Sequence, residues 1–181
     1  MRTAFRPIQT QKLNQLHASV RAADGMQCVL LQNPCMTQRH WIQNEEIMLI
    51  TIVTKKRKPL FYNAAFAREA VAQIYRTQAM HPFILYGFVI MPDHCHFLLR
   101  VPKGGSVSRI VHSYKIGLVF ATGIRPMWQR RFHMRCTTNA VRVLTYVHSD
   151  PVRRHIADTP VAYPWSSACG TWDTTPIDWY S

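Results

Sequence analysis

Acidic residues are scarce in this chain, and the stretch from His94 to Ser149 contains no Asp or Glu at all. The 181 residues include 9 Asp and Glu against 22 Lys and Arg, which gives a formal net charge of +13. Such an imbalance says nothing about the fold, but it indicates a polyanionic partner, either nucleic acid or an acidic membrane surface.

Long apolar runs and paired cysteines are also missing. No apolar run approaches the ~20 residues of a membrane-spanning helix, and the first residues, MRTAFRPIQTQ, lack the apolar stretch of a signal peptide. We therefore expect a cytoplasmic protein with no membrane partner. The five cysteines form no CxxC pair, so neither a zinc ribbon nor a disulfide framework is indicated.

The stretch without acids is rich in cations. A charge run is usually a solvated surface, but cations without neighbouring carboxylates make a poor salt-bridged surface and a good phosphate track. Trp128 adds a side chain suited to stacking on bases. The candidate DNA-binding residues are Arg100, Lys103, Arg109, Lys115, Trp128, Arg130, Arg131 and Arg135.

Residues 44–181 show the pattern of a single domain. In residues 1–43 the apolar side chains recur with no clear helical or strand period, and we expect a weakly structured extension there. Four strands are predicted over the runs IMLITIVT, FILYGFVIM, HCHFLLRV and WQRRFHMRCT. Three helices are predicted over AAFAREAVAQIYRTQAM, SRIVHSYKIGLVFATG and AVRVLTYVHSD.

The helix ends carry their own signals. Asn63 and Asn139 are expected to cap the first and third helices, and Ser106 or Ser108 the second. Gly123 should close the second helix, and Pro151 should stop the third. The order β-α-β-β-α-β-α predicts an α+β fold, a split βαβ arrangement of ferredoxin-like or RRM-like type with helices packed on an antiparallel sheet.

The sequence His94-Cys95-His96 lies on the third predicted strand. Residues i and i+2 of a strand point to the same side, so the two imidazoles can converge on one ion while Cys95 points into the core. Chance in a chain with 9 histidines explains a bare HxH about as well, and zinc is also compatible with the pair. Asp93 is expected to cap its Pro-Asp turn rather than bind the ion.

Several separated motifs together resemble one family. VIMPDHCHFLLRV resembles the HUH motif of single-strand DNA transposases. FHMRCT, LTYVHSDPVRR and VAYPWSS follow in the order found in REP-associated tyrosine transposases, which have an IS200-like transposase domain. The resemblance runs from about Ile42 to the C terminus. It departs from the family pattern at Asp150, where Asn is usual, and at Cys95 in the middle of the HUH motif.

The resemblance implies metal-dependent cleavage and rejoining of single-stranded, hairpin-forming DNA. Tyr146 would be the nucleophile that forms a 5′-phosphotyrosine, and Mg²⁺ or Mn²⁺ would be bound by His94, His96 and Asp150. Tyr146 and Asp150 are four residues apart, which places them on one helix face. A monomer is implied, although shorter insertion-sequence relatives exchange the tyrosine helix between two subunits.

Three alternatives remain open. Tyr114 is a rival nucleophile in the acid-free stretch, although Leu118 rather than a ligand follows it by four residues. A non-catalytic module could bind nucleic acid on the same kind of sheet, but no RGFGFV-like aromatic strand is present. A zinc-dependent hydrolase would need a further ligand and a general base, for which the middle of the chain offers only Asp93 and Asp150.

Overall fold

The computed structural model describes residues 45–177, and the predicted extension over residues 1–43 lies outside them. The strands are β1 (Ile47–Val53), β2 (Ile84–Met91), β3 (His94–Arg100) and β4 (His133–Cys136). They form one sheet in the order β2-β3-β1-β4, in which all neighbours are antiparallel. Strands β1 and β2 therefore run the same way with β3 between them, which confirms the predicted split βαβ arrangement.

In the described part of the chain, three α-helices accompany the sheet: α1 (Ala64–Met80), α2 (Val107–Thr122) and α3 (Ala140–Arg153). An amide in the first turn of each helix donates to the cap side chain, which is that of Asn63, Ser106 or Asn139. Asn63 and Asn139 were expected from the sequence, and Ser106 was one of the two serines expected for α2. Gly123 ends α2 in the left-handed conformation, with φ of 70°. Within residues 45–177, no helix is long and apolar enough to cross a membrane.

The helices lie on opposite faces of the sheet. Helices α1 and α2 pack together on one face, where Ile50, Cys95 and Phe97 belong to the main core. Helix α3 lies on the other face, where its Val147 packs in a second apolar cluster with Val89 of β2. The side chains of β3 that point towards α3 are therefore separated from the main core by the sheet itself.

Helix α3 continues past Pro151, so the prediction that this proline stops the helix is wrong. A proline removes one backbone donor, but the carbonyls of Asp150 and Pro151 still accept hydrogen bonds from the amides of Arg154 and Ile156. Pro151 is also buried, so packing supports the last turn. The extra turn adds Arg153 to the helix.

Strand β4 is shorter than the predicted run WQRRFHMRCT. Trp128 makes only an isolated bridge to the sheet, and regular pairing with β1 begins at His133. The Lys115 ammonium of α2 donates to the carbonyls of Gln129 and Arg130, at 2.9 and 3.5 Å. These two carbonyls therefore bond to a helix side chain, while the Gln129 amide still donates to the Val53 carbonyl of β1 at 2.9 Å.

The segment after α3 returns to the outer edge of β2. The Ile90 amide donates to the Trp165 carbonyl at 2.8 Å, and the Thr175 amide donates to the Leu85 carbonyl at 2.8 Å. Two points of β2, near its start and near its end, are thus hydrogen-bonded to this tail. The tail covers an edge that the sheet would otherwise leave open.

Candidate active site

His94 and His96 point from β3 towards α3. The alternation along the strand places Cys95 between them on the opposite face, where it is fully buried in the main core. The two imidazole rings lie 4.7 Å apart between centroids and are inclined by 81°. They are only 4% and 7% exposed, and polar side chains at this depth require polar partners.

Asp150 supplies the acidic partner from α3. Its Oδ2 lies 3.1 Å from Nε2 of His94 and 4.0 Å from Nε2 of His96. One ligand atom from each of the three residues lies within 4.8 Å of the others. Two imidazole nitrogens and a carboxylate oxygen are suitable ligands for a divalent cation. This buried group, which is the ligand set that the family resemblance implied, could therefore hold a metal ion.

The protonation states of these groups suit a metal site. Burial, together with the nearby charge of His94, lowers the pKa of His96 to about 3. Burial alone would raise the pKa of Asp150, but hydrogen bonds with His94 and Arg153 outweigh that effect and lower it to about 2. A neutral imidazole and an ionised carboxylate are the forms that bind metal ions.

The other nitrogen of each imidazole has its own partner. Nδ1 of His94 lies 2.6 Å from Oδ1 of Asp93, and Nδ1 of His96 lies 2.8 Å from the hydroxyl oxygen of Thr51. Contacts of this kind orient metal-ligating histidines. The sequence analysis expected Asp93 to cap its turn. In the structure, its carboxylate is hydrogen-bonded to His94, and its Oδ2 also accepts a hydrogen bond from Arg57.

Tyr146 lies one helical turn before Asp150 on α3. Its ring centroid is 6.2 Å from that of His96, and its side chain is 37% exposed. The guanidinium carbon of Arg153 lies 3.9 Å from the Tyr146 ring centroid. Arg153 also donates from Nη2 to Oδ1 of Asp150 at 2.6 Å. The candidate nucleophile is therefore accessible, next to the metal-ligand group, and accompanied by a cation.

Arg153 was not among the residues predicted for the site, although it belongs to the DPVRR motif. Burial alone would lower its pKa, but its interactions with Tyr146 and Asp150 outweigh burial and raise it. Because the helix continues past Pro151, the spacing of seven places Arg153 and Tyr146 on one helix face. The predicted stop at Pro151 hid this signal in the sequence. Arg57 and Thr51 had no such signal, because strand pairing brings them to the site.

Tyr114 is excluded as the nucleophile by its position. It is 3% exposed and belongs to the main core, on the face of the sheet opposite to His94 and His96. Its hydroxyl donates to the Ala70 carbonyl at 3.2 Å, and burial raises its pKa well above the usual value. A phenol in this environment cannot reach a DNA phosphate.

The candidate DNA-binding residues are spread over the molecule. Arg135 stands opposite Leu49 in the ladder between β4 and β1, on the same side of the sheet as α3. Arg109 belongs to α2, which packs on the other side. Four others lie at the end of β3 or in exposed loops: Arg100, Lys103, Arg130 and Arg131. One continuous track does not hold all of them.

Trp128 and Lys115 have contacts within the protein. The Trp128 ring packs against Phe61 and Tyr114, with centroids 5.7 and 6.0 Å apart, and its indole N–H donates to the Lys115 carbonyl at 3.2 Å. Burial lowers the pKa of Lys115. Both side chains thus join α2 to the segment before β4, and base stacking by Trp128 stays a prediction.

Comparison with known proteins finds relatives by sequence and by fold. The family described as "Transposase IS200 like" matches residues 44–150. A REP-associated tyrosine transposase of Escherichia coli (strain K12) is 26% identical over 121 residues, which are 62% of this chain and 70% of that protein. The structure of a REP-associated tyrosine transposase bound to a REP hairpin has a TM-score of 0.64 at 20% identity, covering 80% of this chain and 94% of that one.

Proposed function

The chain belongs to the IS200-like transposase family, and we propose that it cuts and rejoins single-stranded DNA with Tyr146 as nucleophile and a divalent ion as cofactor. The observation that carries the proposal is the position of Tyr146 beside the buried group of His94, His96 and Asp150. A transposase must break and re-form phosphodiester bonds. A tyrosine that keeps the bond as a covalent phosphotyrosine can do both without an external energy source.

The proposed cleavage is a displacement at phosphorus. The Tyr146 oxygen attacks the phosphorus, the bond from phosphorus to the 3′ oxygen breaks, and the products are a 5′-phosphotyrosine and a free 3′-hydroxyl. The phenol proton passes to water, which reaches the 37% exposed side chain, and the leaving oxygen takes up a proton from water. Attack by a 3′-hydroxyl on the phosphotyrosine reverses the step and joins strands.

His94, His96 and Asp150 would hold the ion, which we propose to be Mg²⁺ or Mn²⁺. When bound, such an ion neutralises phosphate oxygens and polarises the scissile bond. Arg153 adds a positive charge beside the Tyr146 ring, where the scissile phosphate has to approach. The chain's own residues therefore orient the nucleophile and offset the negative charge of the substrate.

We propose hairpin-forming single-stranded DNA as the substrate. A solved relative was bound to a REP hairpin, and the net charge of +13 favours a nucleic acid. We also propose that the active unit is a monomer, in which α3 lies on the chain's own β3. A DNA substrate also fits the cytoplasmic location expected from the sequence.

The test is covalent capture of DNA. The protein is incubated with Mn²⁺ and a pool of labelled single-stranded hairpins, and protein–DNA adducts are resolved under denaturing conditions. We expect an adduct from the wild type and from Tyr114→Phe, and none from Tyr146→Phe. Binding of the hairpins without any adduct would favour the non-catalytic module, and an adduct lost only in Tyr114→Phe would refute the assignment of the nucleophile.

A further inference from the structure

Four consecutive cations, Lys55-Lys56-Arg57-Lys58, follow β1 and form what we call the basic loop. All four residues are exposed. In the ladder between β1 and β3, Val53 stands opposite His94, so the basic loop begins two residues beyond the position paired with a candidate metal ligand. The loop therefore lies at the end of the sheet where the candidate active site is.

The basic loop is anchored to the turn that leads into His94. The amide of the fully buried Thr54 donates to the Asp93 carbonyl at 2.9 Å. The Thr54 hydroxyl lies 2.9 Å from that carbonyl and 2.8 Å from the Lys58 carbonyl. Arg57 donates from Nη1 to Oδ2 of Asp93 at 2.8 Å. The loop is thus held at its base, at its end and through Arg57.

The backbone of the basic loop is strained. Lys56 and Arg57 both have positive φ angles, 55° and 51°, which residues with side chains rarely adopt. Strain of this kind persists where the surrounding structure enforces it, and it concentrates at functional sites. Here the anchors to Thr54 and Asp93 enforce it. The result is a set of lysines presented from a fixed position.

We propose that Lys55, Lys56 and Lys58 bind the backbone phosphates of the DNA strand that enters the active site, while Arg57 locks the basic loop to Asp93. The inference rests on the proposed function, because it names the surface that brings the substrate to Tyr146. Lysines that contact phosphates position a strand without reading its bases. The basic loop therefore adds affinity for any sequence and does not choose among sequences.

The main experiment compares the wild type with Lys55→Gln/Lys56→Gln/Lys58→Gln. Binding of a labelled single-stranded hairpin is measured without metal over a range of salt concentrations. Each phosphate contact to a single strand contributes about 0.7 to the slope of log K against log salt. Loss of two or three contacts should therefore lower the slope by about 1.4 to 2 and weaken binding at low salt by roughly tenfold or more.

A matched pair of single variants separates the effect of the basic loop from that of net charge. Lys56→Gln and Arg68→Gln each remove one positive charge, but Arg68 is exposed on α1, which packs on the other face of the sheet and serves as the control. Only Lys56→Gln should reduce affinity and slope. Lys56→Asn, which tolerates a positive φ, should behave like Lys56→Gln. Affinity for Mn²⁺, measured by calorimetry, should stay unchanged in the loop variants because Arg57 and Asp93 remain.

The outcomes distinguish this inference from the proposed function. Equal effects of Lys56→Gln and Arg68→Gln would show that only net charge matters and would overturn the role of the basic loop. An unchanged salt slope in the triple variant would do the same, even if the wild type cleaves DNA. Failure of the wild type to form an adduct with the DNA it binds would overturn the proposed function.

Discussion

At the residue scale, a line of hydrogen-bonded polar side chains runs from the basic loop to the candidate nucleophile. Arg57, Asp93, His94, Asp150 and Arg153 are joined by successive contacts of 2.8, 2.6, 3.1 and 2.6 Å. Each carboxylate lies between an arginine and a histidine, so neither charge is left without a partner in a poorly solvated place. The orientation of His94 is therefore determined from both sides.

The role of Asp150 can be tested by comparing two substitutions. Asp150→Ala removes the carboxylate and should weaken Mn²⁺ binding by about tenfold or more. Asp150→Asn keeps an oxygen ligand and should retain adduct formation, since a neutral amide also suits hard cations. Calorimetry with Mn²⁺ measures the affinity, with His94→Ala as the reference for a lost ligand and His112→Ala, exposed on α2, as the control. Unchanged affinity in Asp150→Ala would rule out its ligand role.

Sequence reasoning predicted the grouping of His94, His96 and Asp150 because the informative spacings are local. Two residues apart on a strand and four apart on a helix each fix a shared face, and the family motif supplied the link between strand and helix. Arg57 and Thr51 were not predicted, since their contacts depend on the register between β1 and β3. This register cannot be read from the spacing of residues in the sequence.

At the element scale, α3 approaches β2 closely at Gly87. A Cβ atom at this position would lie 2.2 Å from Cδ1 of Leu144 and 3.1 Å from Oγ of Ser167. The same serine oxygen lies 2.8 Å from Nε2 of His148 and accepts from the Phe88 amide at 2.9 Å. Because α3 carries Tyr146 and Asp150, this contact helps to set their distance from β3.

Gly87→Ala should therefore impair the active site more than it impairs the fold. Overpacking of this kind lowers the free energy of unfolding by about 1 to 3 kcal/mol. Gly117→Ala is a matched control, since its Cβ would lie 2.2 Å from Nε2 of Gln73 between α1 and α2. We expect adduct formation and Mn²⁺ affinity to fall in Gly87→Ala alone. The thermal unfolding of both variants is measured, so that losses caused by lower stability can be recognised. Equal losses of adduct formation and Mn²⁺ affinity in the two variants would contradict the prediction.

The sequence predicted the end of a helix correctly where a single local residue determines that end. Asn63 caps α1 through its own side chain, and Gly123 supplies the left-handed conformation that closes α2. The predicted ends were wrong where tertiary contacts determine the length of the helix or strand. Pro151 stays inside α3 because it is buried and the next carbonyls remain bonded, and β4 is shortened where Lys115 bonds to the preceding loop. The sequence pattern does not contain those contacts.

At the scale of the whole molecule, the candidate site combines residues of β3 and α3, and the proposed monomer takes both elements from the same chain. This predicts that mixing Tyr146→Phe with His94→Ala does not restore DNA cleavage, because neither chain has both the nucleophile and the complete ligand group. A dimer that exchanges α3 between subunits would form one intact site from the two variants. Cleavage assays on the separate and mixed proteins decide the matter, and recovered cleavage in the mixture would refute the monomer.

The tail that covers the outer edge of β2 has a consequence for aggregation. Strand β2 reads ILYGFVIM, and an open apolar edge of this kind is a template for strands of other copies. The tail's backbone hydrogen bonds to Leu85 and Ile90 cover that edge, so other strands cannot pair with it at these residues. At the opposite edge, β4 has only four residues and carries His133 and Arg135, which discourage pairing. Loss of the tail from β2 would therefore expose an apolar strand edge to other copies without unfolding of the whole domain.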